Sequence, residues 1–164
     1  MTKQSAASPV QTRTATIQAI RSIDTAVSSP IGMRNQSPEE RSAAAGRPVR
    51  GESPGYQGVA YLAELEPELR AAAIFGPAGG LVECSVAADS GFAEAAAKLI
   101  SEVEAGGEEP IDSCHIASDD AEVFLVREAG MTLVAVADRF VLSSLMTYDI
   151  RMTLRDLSAE ASLG

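Results

Sequence analysis

The chain has 164 residues, enough for one domain of ordinary size with an arm and too few for two full domains. Its 13 Lys and Arg against 23 Asp and Glu leave a formal net charge of −10, which disfavours nucleic acid and anionic membrane surfaces as partners. Hydrophobic residues make up 46% but aromatics only 4%, so a core must be built from aliphatic side chains and Ala.

Residues 1–55 hold five of the eight prolines, carry a net charge of +3 and contain no aromatic residue. Such a segment buries too little apolar area to offset its ordering entropy, and the sequence predicts a disordered arm. Ile17, Ile20, Asp24 and Val27 nevertheless fall on a helical spacing. Thr14 to Val27 is therefore the one stretch of the arm that could form a short docking helix, marginal in water by itself. The rest of the chain carries −13. One compact domain is expected over residues 56–158, followed by a short tail at 159–164.

Gly58 to Leu65 has helical apolar spacing and stops before Glu66-Pro67, because the residue before proline avoids the helical region. Leu69 to Phe75 is a short apolar run, Gly76 to Gly80 a dense turn signal, and Leu81 to Val86 a second strand, together a hairpin. Gly91 to Glu104 is the clearest helix. Phe92, Ala96, Leu99 and Val103 line one side of it and Glu94, Lys98 and Glu102 another, with Ser90 as N-cap and Gly106-Gly107 as the stop. Ile111 to Ser118 and Ala121 to Glu128 are strands joined at Asp119-Asp120. After Ala129-Gly130, Thr132 to Ala137 is apolar on both faces and so central in the sheet. Phe140 to Leu157 closes the chain as a helix with Leu142, Leu145, Met146, Ile150 and Leu157 on a broad stripe. The order α-β-β-α-β-β-β-α, with hairpins too short for parallel crossovers, predicts an α+β sandwich of five antiparallel strands flanked by helices.

These pieces, in this order, resemble the roadblock/dynein light chain family, with its profilin-like sandwich. Glu66-Pro67-Glu68-Leu69-Arg70-Ala71-Ala72 is similar to the family's helix-to-strand loop, and Pro77-Ala78-Gly79-Gly80-Leu81-Val82 to its first hairpin. Met131 to Arg139 followed by Leu142 to Leu157, with Tyr148-Asp149-x-Arg151, is similar to its last strand and helix. The resemblance implies a homodimer, or a heterodimer with a paralogous roadblock protein, whose sheets join edge to edge and whose middle helices lie side by side. It also implies no active site and no cofactor. Members bind small GTPases, motor chains or signalling scaffolds, and some bacterial members accelerate GTP hydrolysis by repositioning the GTPase's own catalytic residues.

The residues themselves point the same way. No GxxxxGK[ST] loop is present, so the chain is not expected to cradle nucleotide phosphates. His115 is the only histidine, and on a regular strand it points away from its neighbour Cys114, which argues against a Cys–His or Ser–His site. Cys84 and Cys114 with one His have no recognised zinc spacing and read as small buried hydrophobes. Two cysteines, no apolar run of membrane-spanning length and no apolar N-terminal core predict a reduced, cytoplasmic protein. Asp119-Asp120 lacks the spacing of a calcium loop, and Gly76 to Gly80 precedes a strand where a phosphate cradle would precede a helix.

Two features remain as candidate sites. Asp149 falls within the apolar stripe of the last helix, where a carboxylate must be hydrogen-bonded or costs several kcal/mol. It reads as a tether to backbone donors of a neighbouring loop, or alternatively as a contact to a partner chain. As a tether it predicts that Asp149→Asn lowers the melting temperature. The middle helix, through Phe92, Ala95, Ala96, Leu99, Ile100 and Val103, is the candidate dimer or partner interface, since its alanines leave a smooth surface for a second helix. The alternative is that this stripe is consumed by its own sheet. The function expected is a non-catalytic dimeric adaptor that binds a Ras-like small GTPase and modulates its hydrolysis or location. Its rivals are a scaffold without effect on hydrolysis and, less suited to so few aromatics, a ligand-sensing domain.

Overall fold

The computed structural model describes residues 21–23, 26, 54–106 and 111–163. Helix α1 (Pro54–Leu65) leads into strands β1 (Leu69–Phe75) and β2 (Leu81–Cys84). A 3-10 turn at Ala88–Ser90 precedes helix α2 (Phe92–Gly106), which is followed by β3 (Ser113–Ala117), β4 (Glu122–Glu128), β5 (Met131–Ala137) and helix α3 (Ser143–Leu163). The strands form one antiparallel sheet in the order β2-β1-β5-β4-β3. This is the α+β architecture expected, with β5 at the centre, where an apolar run on both faces belongs.

Small residues let helices close on both faces of that sheet. Ala71 and Ala73 face one way and Ala72 the other, so β1 is held by burial and not by the weak strand propensity of Ala. On one face α1 and α3 cover Ile74, Phe124, Val126, Leu133 and Ala135 through Leu62, Met146, Ile150 and Leu154. On the other, α2 covers Phe75, Val123, Leu125, Val134 and Val136 through Phe92, Ala96 and Leu99. The α1 and α3 helices run antiparallel, because Gly58 lies against Leu157 near one end and Glu66 against Asp149 near the other.

Element boundaries differ from the sequence-based ones for local reasons. Gly91, with a left-handed φ of 73°, takes the N-cap position, its carbonyl accepting from the Ala95 amide, while the Ser90 hydroxyl one residue earlier accepts from the Phe92 amide at 3.2 Å. Helix α3 starts at Ser143, not Phe140, because Phe140 itself has a positive φ of 70°. It continues to Leu163, through residues where the sequence predicts a tail. Nothing in Ala159-Glu160-Ala161-Ser162 interrupts a helix, and the Ser162 hydroxyl donates to the Ser158 carbonyl one turn earlier.

The expected disordered arm lies outside the described residues except for Arg21, Ser22, Ile23 and Ala26, which are helical, and Pro54 and Gly55, which belong to the first turn of α1. Ile23 is fully buried in the α2-side core, with Ala26 packed at its edge. These positions belong to Thr14–Val27, the stretch whose spacing fits a short docking helix. Among the described residues, no helix is long and apolar enough to cross a membrane.

Candidate protein-interaction surfaces

The α2 stripe divides into a buried and a half-open part. Phe92, Ala95, Ala96 and Leu99 are buried within the chain's own core, whereas Ile100 and Val103 are only half-buried at its edge. A helix does approach the alanines closely, and it belongs to the same chain. Arg21, Ser22 and Ala26 share a groove with Glu94, Ala95 and Lys98, while Ile23 reaches the core beneath. The opposite flank, at Ala97, Ile100, Ser101 and Glu104, borders an open groove.

Next to this face the sheet ends at β3, a five-residue edge strand. Cys114 and Ile116 point to the α2 side and lie half-buried at the core rim. Burial pushes both thiols, Cys84 and Cys114, up from their ordinary range, which disfavours the reactive thiolate. His115 points to the other side, as alternation along a strand requires. Its ring stacks on Phe124 at 4.5 Å between centroids, and its Nε2 lies 2.8 Å from Glu122 Oε2. The other Glu122 oxygen accepts the Phe140 amide at 2.9 Å and steadies that strained residue, whose ring also meets the Arg139 guanidinium. A carboxylate holding a backbone amide in place is a brace.

Asp149 does reach the neighbouring loop, where it meets the Glu66 carboxyl. Glu66 is buried, and one of its oxygens has no partner among the described residues. Burial first, then hydrogen bonding to Asp149 and the charges of Asp149 and Glu68, raise its pKa to about 7 from an ordinary 4.5. Glu83, on the edge strand β2, is likewise pushed up to about 7 by burial. Among the described residues, no group of three or more His, Cys, Asp or Glu side chains is arranged to hold a metal ion.

No protein-family model matches this chain, and no curated protein does. Among solved structures, a Roadblock/LC7 domain from Streptomyces avermitilis matches with a TM-score of 0.50 at 17% identity, covering 63% of this chain and 93% of that one. This is the roadblock/LC7 fold. At such identity the likeness rests on architecture, and each surface above must be argued from this chain's own residues.

Two residues of the roadblock fold described here escape sequence reasoning. Glu122 had a usable signal: it and His115 flank the Asp119-Asp120 turn on one face, as a diagonal cross-strand pair. Glu66 had none, because nothing in Glu66-Pro67-Glu68 shows that the first carboxyl turns inward toward Asp149.

Proposed function

We propose that this chain is a non-catalytic adaptor that dimerises, with itself or with a paralogous roadblock protein, and binds a Ras-like small GTPase in the cytoplasm. What supports this reading above all is the roadblock/LC7 fold combined with an open β3 edge beside the α2 face. An edge strand presents unpaired backbone groups that a second sheet can complete. The half-buried Ile100, Val103, Cys114 and Ile116 at the same rim are the apolar surface such a union would cover. Phe92, Ala95, Ala96 and Leu99 then act from below, as the rigid floor that holds α2 in place.

The adaptor works by contact. Its dimer offers a helix-lined platform on which the switch segments of the GTPase are held in their competent arrangement, and the reacting groups come from the GTPase. The −13 carried by residues 56–164 steers a basic partner surface toward it. Light scattering on the purified chain is expected to report a dimer whose dissociation increases in Ile100→Glu. Hydrolysis by the small GTPase encoded nearest to this chain's gene is expected to change on addition of the dimer. A monomer at high concentration, or no binding and no rate change with any such GTPase, overturns the reading.

A further inference from the structure

A second surface lies on the far side of the sheet, where α1 and α3 run side by side and leave a groove of about 440 Å³ between them. Gly58, Ala60 and Leu157 form an apolar floor, because the backbone of α1 comes so close to Leu157 that a Cβ on Gly58 would lie 2.5 Å from it. Glu64 on one wall, and Asp156 with Glu160 on the other, are acidic, and among the described residues no Lys or Arg lines the groove. None of these three carboxylates is paired with a cation among the described residues. Arg70, Arg127 and Arg155 are engaged with Asp138, Glu104 and Glu128 elsewhere.

Two further observations indicate that something completes this groove. The Thr153 hydroxyl, on a residue only 1% exposed, lines it with no hydrogen-bond partner among the described residues. A buried hydroxyl in that condition costs free energy until a partner reaches it. Tyr61 stands at the wall with 49% of its surface exposed, an aromatic face beside three acids. Such a ring binds apolar side chains and cations alike.

We propose that the α1/α3 groove is a docking site for a positively charged amphipathic helix of a partner protein. The occupant is elongated because the two helices that frame the groove are antiparallel and close-packed. A helix suits it because Thr153, Asp156 and Glu160 along one wall, and Tyr61 and Glu64 along the other, form straight rows that the apolar and charged faces of an amphipathic helix can meet at once. It is cationic because the walls are acidic and uncompensated. Its aliphatic side covers the floor and Tyr61, and its Lys or Arg side chains meet Glu64, Asp156 and Glu160. This site is separate from the α2 and β3 surfaces, so it stands whether or not a GTPase binds there.

The test uses the full chain and a fluorescein-labelled 18-residue Leu/Lys amphipathic peptide as probe, followed by fluorescence anisotropy, with the Leu/Glu analogue as control. The Lys peptide is expected to saturate at one per chain, and the Glu peptide not to bind. Glu64→Lys/Asp156→Lys is expected to weaken the Lys peptide at least tenfold. The reversal Glu94→Lys/Asp119→Lys, identical in net charge but remote from the groove, is expected to change affinity less than twofold. Tyr61→Ala is expected to weaken binding several-fold with no loss of helical circular dichroism. Equal weakening by both reversals means diffuse charge attraction and overturns the proposal. So does an absence of binding to the unaltered chain, or wild-type affinity in Tyr61→Ala.

Discussion

At the scale of single residues, the chain holds two carboxyls in places that favour their neutral form. Glu66 and Glu83 both have pKa values raised from 4.5 to about 7. Between those values the folded chain keeps protons that the unfolded chain has released, so the contribution of these two groups to stability is fully present below about pH 4.5 and falls as the pH rises toward 7. A thermal melt series from pH 4.5 to 8 is expected to show this decline, and Glu66→Gln/Glu83→Gln to flatten it. The same contact changes what Asp149 does. As a tether to backbone donors it would be missed, and Asp149→Asn would lower the melting temperature. Beside Glu66, which above pH 7 is ionised, the substitution removes a like-charge contact of about 1 kcal/mol. We therefore expect Asp149→Asn to raise the melting temperature by a few degrees at pH 8 and to change it little at pH 5. A lower melting temperature at pH 8 would restore the tether.

Among the elements, the pairing of α1 with α3 depends on one glycine. At Gly58 the two helices lie so close that a Cβ would sit 2.5 Å from Leu157 Cδ1 and 3.0 Å from its Cγ, so the whole Leu157 side chain, only 4% exposed, would have to shift. Ala ordinarily gains up to about 1 kcal/mol over Gly inside a helix. Overpacking against a buried side chain costs about 1–3 kcal/mol and outweighs it. Gly58→Ala is therefore expected to lower the melting temperature by several degrees, whereas Gly→Ala at an unencumbered helical site would raise it. Most elements were legible because each carries its own signal: the period of α2, the glycines of the first hairpin, the double-sided apolar run of β5. The start of α3 was not, since Phe140 adopts a left-handed conformation that its side chain does not encourage and that the Glu122 carboxylate sustains from 18 residues away. For the candidate interface on α2 the sequence shows a stripe but not what covers it. A periodic stripe on α2 shows that something covers it, yet says nothing of whether that cover is the chain's own sheet, its own N-terminal segment or another molecule.

For the molecule as a whole, that ambiguity centres on Ile23. Composition places it in a segment too polar and too rich in proline to fold, and composition averages over 55 residues what one side chain does. Ile23 is fully buried among Ala71, Phe92, Ala95 and Val136, so the α2-side core is closed partly from a point 31 residues upstream of α1. Truncating a buried Ile to Ala costs about 2–5 kcal/mol, because the transfer free energy is lost and a cavity remains. Ile23→Ala is therefore expected to lower the melting temperature by ten degrees or more in this small domain. A second consequence separates this contact from ordinary core packing. Arg21, Ser22 and Ala26 lie along the flank of α2 at Glu94, Ala95 and Lys98, so loosening them uncovers an Ala-rich helix face next to the proposed dimer surface. Ile23→Ala is thus expected to alter the dimer's dissociation constant as well as its stability, in a measurement made well below the melting temperature. An unchanged melting curve would show that residues 21–26 do not belong to the core. A lowered melting curve with unchanged dimer affinity would confine the segment to a structural role and leave the open flank at Ala97, Ile100 and Glu104 as the side of α2 that a partner meets.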